Sequence, residues 1–239
     1  MFVVLPIAAV IAIYFLAAVI PAVYLMRYIY KCDTVEKESP ALLLKLVVMG
    51  VCSALAAIVF EYIGMSILPH LVDENSDAYK IILAFLVVAV VEEGTKFFFL
   101  KRSTWRDPGF NYRFDGIVYA VFVSLGFAAF ENIRYVLGYG LSTAVTRAFL
   151  AVPGHMGFAV FMGVFYGRAK LCENRGDRAG MKRNLFFGYL IAVLLHGFYD
   201  SCAMIGNVLA SVLFAVFVVL MYIIVLRVIK RESLTDRPV

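Results

Sequence analysis

The sequence predicts an all-α, polytopic membrane protein of about seven transmembrane helices, on three observations. Of its 239 residues, 63% are hydrophobic and only 16% are charged, with a mean hydropathy of +0.89. A soluble domain of this length needs far more polar residues to cover its surface. Apolar runs of about 18 residues or more recur from end to end, each long enough to cross a bilayer as a helix. The runs do not alternate in the short segments of a membrane barrel.

Seven spans are predicted, at roughly 3–26, 42–68, 80–100, 115–137, 143–167, 185–205 and 208–229, within one transmembrane helical domain over 1–239. The first has no basic n-region: Met1 to Tyr24 carries no charge, the apolar run continues to about Met26, and Arg27 and Lys31 follow it. It reads as a retained helix rather than a signal peptide. KCDTVEKESP (31–40) closes on a proline ahead of the second span. PHLVDENSDAYK (69–80) is acidic, KRSTWRDPGFNYR (101–113) is basic with Pro-Gly, and GYGLS (138–142) is a tight glycine turn. Residues 168–184 are basic again, SCAMIGN (201–207) is short and neutral, and the tail after the last span is polar.

Lys and Arg are retained on the cytoplasmic side. The loops carrying Lys101, Arg102, Arg106 and Arg113, then Arg168 through Arg183, and the C-terminal tail are basic, and the first loop has Arg27, Lys31 and Lys37. The intervening loops are acidic or neutral. The alternation places the N-terminus outside and the C-terminus in the cytoplasm. The net charge of +5 is thereby an orientation signal; no basic stripe with interleaved aromatics points to nucleic acid. Cys32, Cys52, Cys172 and Cys202 are scattered and read as packed free thiols.

A charge at the bilayer centre costs on the order of 2.5–3.5 kcal/mol on insertion scales and usually marks function. Glu92, Glu93 and Lys96 fall in the third span, Glu131, Asn132 and Arg134 in the fourth, His155 in the fifth, and His196 and Asp200 in the sixth. Helical geometry puts Glu92, Glu93 and Lys96 on one face, with Lys96 placed for an ion pair. Asp200, four residues after His196, is placed to fix the imidazole tautomer. Glu92, Glu93, His155 and His196 lie near mid-membrane; Glu131 and Asp200 are displaced outward. Two adjacent carboxylates in a low-dielectric site do not both ionise easily, which leaves one able to take a proton from water and return it to a leaving amine. Imidazoles opposite stabilise an oxyanion. That chemistry suits acyl-bond hydrolysis, and neither HExxH nor GxSxG is present. Structural roles are expected for Glu61 and His70, a helix cap for Asp115, and for Glu131 a pairing with Arg134 and Tyr135 stands beside the site role.

At these residues the sequence resembles the PrsW family of intramembrane proteases, relatives of the CAAX-processing and bacteriocin-processing membrane proteases. The resemblance rests on VVEEGTKFF (90–98), GFAAFENIRY (126–135), PGHMGFAVFMG (153–163) and LLHGFYD (194–200), covering a catalytic core of about 80–205. It implies a glutamate-dependent endopeptidase of the bacterial plasma membrane. Glu92 and Glu93 would supply the general base, and His155 and His196 would bind the scissile carbonyl or the water. Asp200 would orient His196, with Glu131 as a further site residue. It also implies a single-pass membrane substrate of the anti-sigma-factor class, cut on its extracytoplasmic side. The chain departs from the CAAX relatives at Asp200, where they carry asparagine, and at Ala151, where a phenylalanine is expected four residues before the histidine.

Two further classes stay open on the residues alone: a proton-coupled transporter using a Glu/His relay, and a non-enzymatic scaffold or seven-helix sensor. A zinc-dependent protease held by Glu92, His155 and His196 is a variant of the first reading. The metal-free form is favoured because adjacent carboxylates are poor co-ligands.

Overall fold

The computed structural model describes residues 6–239, so residues 3–5 of the first predicted span lie outside the described residues. The helices are α1 (Ile7–Cys32), α2 (Pro40–Ile67), α3 (Asp77–Ile82), α4 (Val90–Thr104), α5 (Asp115–Tyr139), α6 (Leu141–Phe149), α7 (Ala151–Asn174), α8 (Arg178–Ile205) and α9 (Val208–Leu234). Side-chain caps set several starts. Ser39 Oγ accepts the Leu42 N–H ahead of Pro40, Asp177 Oδ1 that of Gly180, and Asn207 Oδ1 that of Ala210.

Six of these helical stretches are long and apolar enough to cross a membrane. The seventh predicted span is a rod in which α3 runs through a π-helical segment, Leu83–Ala89, into α4. Its three buried charges, Glu92, Glu93 and Lys96, keep it off a purely hydropathic count. The fifth predicted span is also refined: α6 and α7 are separate helices that meet at Leu150.

α5 is the axis of the bundle. It is buried without interruption from Asp115 to Ala128, as expected of a helix apolar all round and surrounded by others. α1, α2 and α7 pack directly on it, and α8 and α9 pack on α7. The peripheral α1 and α9 turn most of their apolar side chains outward, among them Ile20, Val216 and Leu220, as lipid-facing helices do. α5 and α7 approach closely because small residues line the seam. A Cβ on Gly163 would lie 2.6 Å from the Gly116 carbonyl oxygen, and one on Gly116 would lie 2.6 Å from the Gly167 nitrogen.

At the end of the bundle where the basic loops gather, the tail folds back onto the 110–115 loop. Tyr112 and Pro238 form an isolated antiparallel bridge, and the Val239 N–H donates to the Asn111 carbonyl at 2.9 Å. Asp115 acts here differently from the cap expected of it. Its Oδ2 accepts the Asn111 and Tyr112 N–H groups at 3.0 and 2.6 Å, tying the preceding loop rather than its own first turn. The four cysteines are free.

Candidate active site

The site forms where α4, α5, α7 and α8 meet. The π-helical segment ends directly before the first turn of α4, and such widened turns recur at functional sites. From that turn Glu92, Glu93 and Lys96 point inward, and the Tyr189 hydroxyl of α8 braces the turn by donating to the Val90 carbonyl at 3.0 Å. α8 lies hard against the π segment because residue 197 has no side chain; a Cβ there would run into the Phe85 ring. The close approach sets His196 opposite Glu93.

Glu92, Glu93, Lys96, His155 and His196 are each at most 4% exposed, so their polar atoms must find partners among themselves. Lys96 Nζ donates to Glu92 Oε2 at 3.0 Å, Glu93 Oε1 at 2.9 Å and His155 Nδ1 at 3.1 Å. An ammonium only donates, so His155 Nδ1 is the acceptor there and the ring proton sits on Nε2. That Nε2–H points at Glu131 Oε2, 3.0 Å away. His196 places Nδ1 3.0 Å from Glu93 Oε1 and Nε2 3.2 Å from Asp200 Oδ2, with Glu92 Oε2 at 3.9 Å from Nε2. The two imidazole centroids are 5.3 Å apart and nearly perpendicular. Phe158 stacks on His196, and the Lys96 ammonium sits 3.9 Å from the centre of the Phe127 ring.

All six residues singled out in the sequence, Glu92, Glu93, Glu131, His155, His196 and Asp200, are therefore brought into one hydrogen-bonded cluster. A cavity of about 940 Å³ opens beside it, lined by Glu92, Glu131, His155, His196, Asp200 and Tyr199 on its inner wall. Its exposed lining residues, among them Met65, Arg134, Tyr139, Thr146 and Met204, set its mouth at the C-terminal ends of α2, α5 and α8 and at the short helix α6, the end that the charge distribution assigns to the outside. Glu93 does not line the cavity; it stands behind Glu92.

The partner of Glu131 differs from the expected one. It is Arg147 of α6, whose Nη2 reaches Glu131 Oε2 at 2.6 Å, while Nε donates to Asn132 Oδ1 at 2.9 Å and the guanidinium covers the Tyr135 ring. Arg134 lines the cavity instead. The Gly140 turn folds α6 back along α5, which brings a residue sixteen positions away closer than one three positions away. Sequence reasoning passed over Arg147, although a charge inside a predicted span was itself the signal. Glu61 also lies on the cavity wall, with Oε1 buried and unpartnered, rather than in the purely structural setting expected of it.

One ligand atom each from Glu92, Glu93, His155 and His196 lies within 4.8 Å of the others. Adjacency does not keep the two carboxylates apart, since both reach the same point between α7 and α8. Two carboxylates and two imidazoles are a donor set that zinc accepts, with ligand atoms roughly 3.4 Å apart in a tetrahedron of 2.0–2.2 Å bonds. The buried Glu93 Oε2 has no partner and is a further spare acceptor. The donors fit a divalent ion, on the condition that Lys96 is not already among them.

The sequence model of a family described as PrsW family intramembrane metalloprotease matches residues 38–228. Similar proteins include three called "Protease PrsW". That of Geobacillus kaustophilus is 35% identical over 77% of this chain and 76% of its own length. That of Oceanobacillus iheyensis is 33% identical over 91% and 94%, and that of Bacillus subtilis 33% identical over 77% and 79%. No solved structure matches the chain. With the family match spanning four of the site's helices and most of the bundle, the carrier and scaffold readings give way, and this multi-pass membrane peptidase belongs to the PrsW family of intramembrane proteases.

Proposed function

We propose that the chain is a glutamate-dependent endopeptidase that cuts a single-pass membrane protein toward its extracytoplasmic side. The observation that carries this reading is the position of Glu92: on the cavity wall, with Oε2 3.9 Å from His196 Nε2 and a ligand atom of His155 within 4.8 Å, and with the cavity open toward the outer end of the bundle. An anti-sigma factor is the substrate class the family resemblance brings to it.

Glu92 takes a proton from a cavity water, whose oxygen attacks the scissile carbonyl carbon. The resulting oxyanion is held by His196 Nε2–H, once the carbonyl oxygen takes over that donor from Asp200, the more open of the ring's two partners, with its side chain 20% exposed. Glu93 stays on Nδ1 and keeps the ring oriented. Glu92 then passes its proton to the amine nitrogen as the C–N bond breaks. His155, fixed between Lys96 and Glu131, walls the far side of the reacting carbonyl. Glu92, Glu93, His155 and His196 would hold a divalent ion, which when bound supplies Lewis-acid polarisation of the carbonyl or water.

The test is reconstitution into liposomes with a single-pass substrate, the cut bond being located by mass spectrometry. A cut in the outer half of the substrate's span, or just beyond its outer end, supports the reading. A cut on the cytoplasmic side, or none with the folded protein, overturns it.

A further inference from the structure

The middle of the donor cluster already holds a cation, the ammonium of Lys96. It lies within 3.1 Å of Glu92 Oε2, Glu93 Oε1 and His155 Nδ1, which belong to three of the four residues that would ligate a metal. It is only 2% exposed, so its three N–H groups have these acceptors and the Phe127 face as their whole environment. The decisive atom is His155 Nδ1. An imidazole nitrogen that accepts a hydrogen bond does so through its single in-plane lone pair, and metal coordination uses that same lone pair. The other ring nitrogen is turned to Glu131, 3.0 Å away. His155 therefore binds either Lys96 or a divalent ion through Nδ1, and not both.

Charge points the same way. An ion bound at about 2.0–2.2 Å from these atoms would stand close beside Nζ in a water-poor site, where like charges repel strongly.

We propose that Lys96 is the resident cation of this cluster and that a divalent ion enters only by displacing it, so that ammonium and metal are alternative occupants of one position. The proposal rests on the reading of Glu92, Glu93, His155 and His196 as one site, but not on what that site hydrolyses. Lys96 is in this sense a positioning residue. In this arrangement it holds the two carboxylates and His155 together, and it sets how tightly the cluster takes a metal.

The experiment measures zinc binding by calorimetry and by metal analysis of the purified full-length chain, with no substrate present. Lys96→Met removes the competing charge and is expected to bind one zinc per chain at least tenfold more tightly than the wild type. Adding His155→Ala to it should abolish the gain. Lys96→Arg keeps a cation in place and is expected to show no gain. Equal or weaker zinc binding by Lys96→Met, or an equal gain in Lys96→Arg, overturns the proposal. Removing the ammonium leaves two buried carboxylates uncompensated, and the variant risks failing to fold. Zinc supplied during expression should then restore monodisperse Lys96→Met protein, whereas protein that stays misfolded with zinc overturns the proposal. Loss of proteolysis in these variants has no bearing on it, which keeps its failure distinct from failure of the peptidase reading.

Discussion

Glu131 holds His155 and Arg147 on a single oxygen: Oε2 lies 3.0 Å from His155 Nε2 and 2.6 Å from Arg147 Nη2. Through Asn132, which accepts from Arg147 and donates to the Ala18 carbonyl at 2.7 Å, the same network reaches α1. The cavity mouth and the inner cluster are thus mechanically joined.

Arg147→Ala cuts that link. It leaves a charged, mostly buried Glu131 with one partner fewer, and loss of a hydrogen bond to a charged group costs about 1.5–3 kcal/mol. The expected result is a lowered thermal midpoint in detergent together with faster amide exchange confined to α6 and the adjoining end of α5. Unchanged exchange in α6 would show that the pair does not hold it.

Glu93→Gln separates support from chemistry. Glu93 stands behind Glu92, away from the cavity, and accepts from both Lys96 and His196. Neutralising one member of a buried ionic group costs about 3–5 kcal/mol. Glu93→Gln is expected to lower the thermal midpoint much more than Glu92→Gln, because Glu93 gives up its hydrogen bonds to both Lys96 and His196, whereas Glu92, on the cavity wall, gives up that to Lys96 alone. Equal midpoints for the two variants would contradict the assigned positions.

Much of this was legible in the sequence because membrane helices obey a strict rule: backbone polar groups are satisfied within the segment, so length and hydropathy locate spans. The site residues were legible because charges in such spans stand out, and His196 and Asp200 are one helical turn apart. The π segment was not, since LAFLVVA is apolar throughout and offers no register signal. The break between α6 and α7 was hidden for the same reason, as Phe149, Leu150 and Ala151 carry the apolar run across it. The Glu131–Arg147 pair and the place of Glu61 on the cavity wall depend on how helices fold back on one another, which spacing along the chain does not encode.

Gly163→Leu tests the seam between α5 and α7. Its side chain would have to displace the backbone of Gly116 and Ile117, whose atoms lie within 2.9 Å of an added Cβ. Overpacking typically costs about 1–3 kcal/mol and more where backbone must move. We expect loss of folded protein, or a midpoint well below that of Gly138→Leu, where an added Cβ meets nothing. Similar midpoints for the two would contradict the close packing.

The loop before α2 predicts a pH dependence. Burial pushes the Glu38 carboxyl up to about 7, against the opposing hydrogen bond from the Tyr119 hydroxyl at 2.6 Å. Burial likewise pushes Asp33 up to about 6. Both folded values are raised, so the stabilisation is full below the ordinary carboxylate range and is lost as pH rises through about 6 and then about 7. The thermal midpoint should fall between pH 5 and pH 8, on a scale set by these two groups, and the fall should shrink in Glu38→Gln (roughly the shift expected from removing one titrating site). A slope unchanged by the substitution would contradict the assignment.

In the proposed reaction Glu92 and His196 act on the same water and carbonyl, which the single-turnover cleavage rate of a reconstituted substrate by Glu92→Gln and His196→Ala tests. Losses of about 10²–10⁴-fold are expected for each, with a combined loss in the double variant far smaller than the product of the two. Cleavage within a few-fold of the wild type by either folded variant would contradict it.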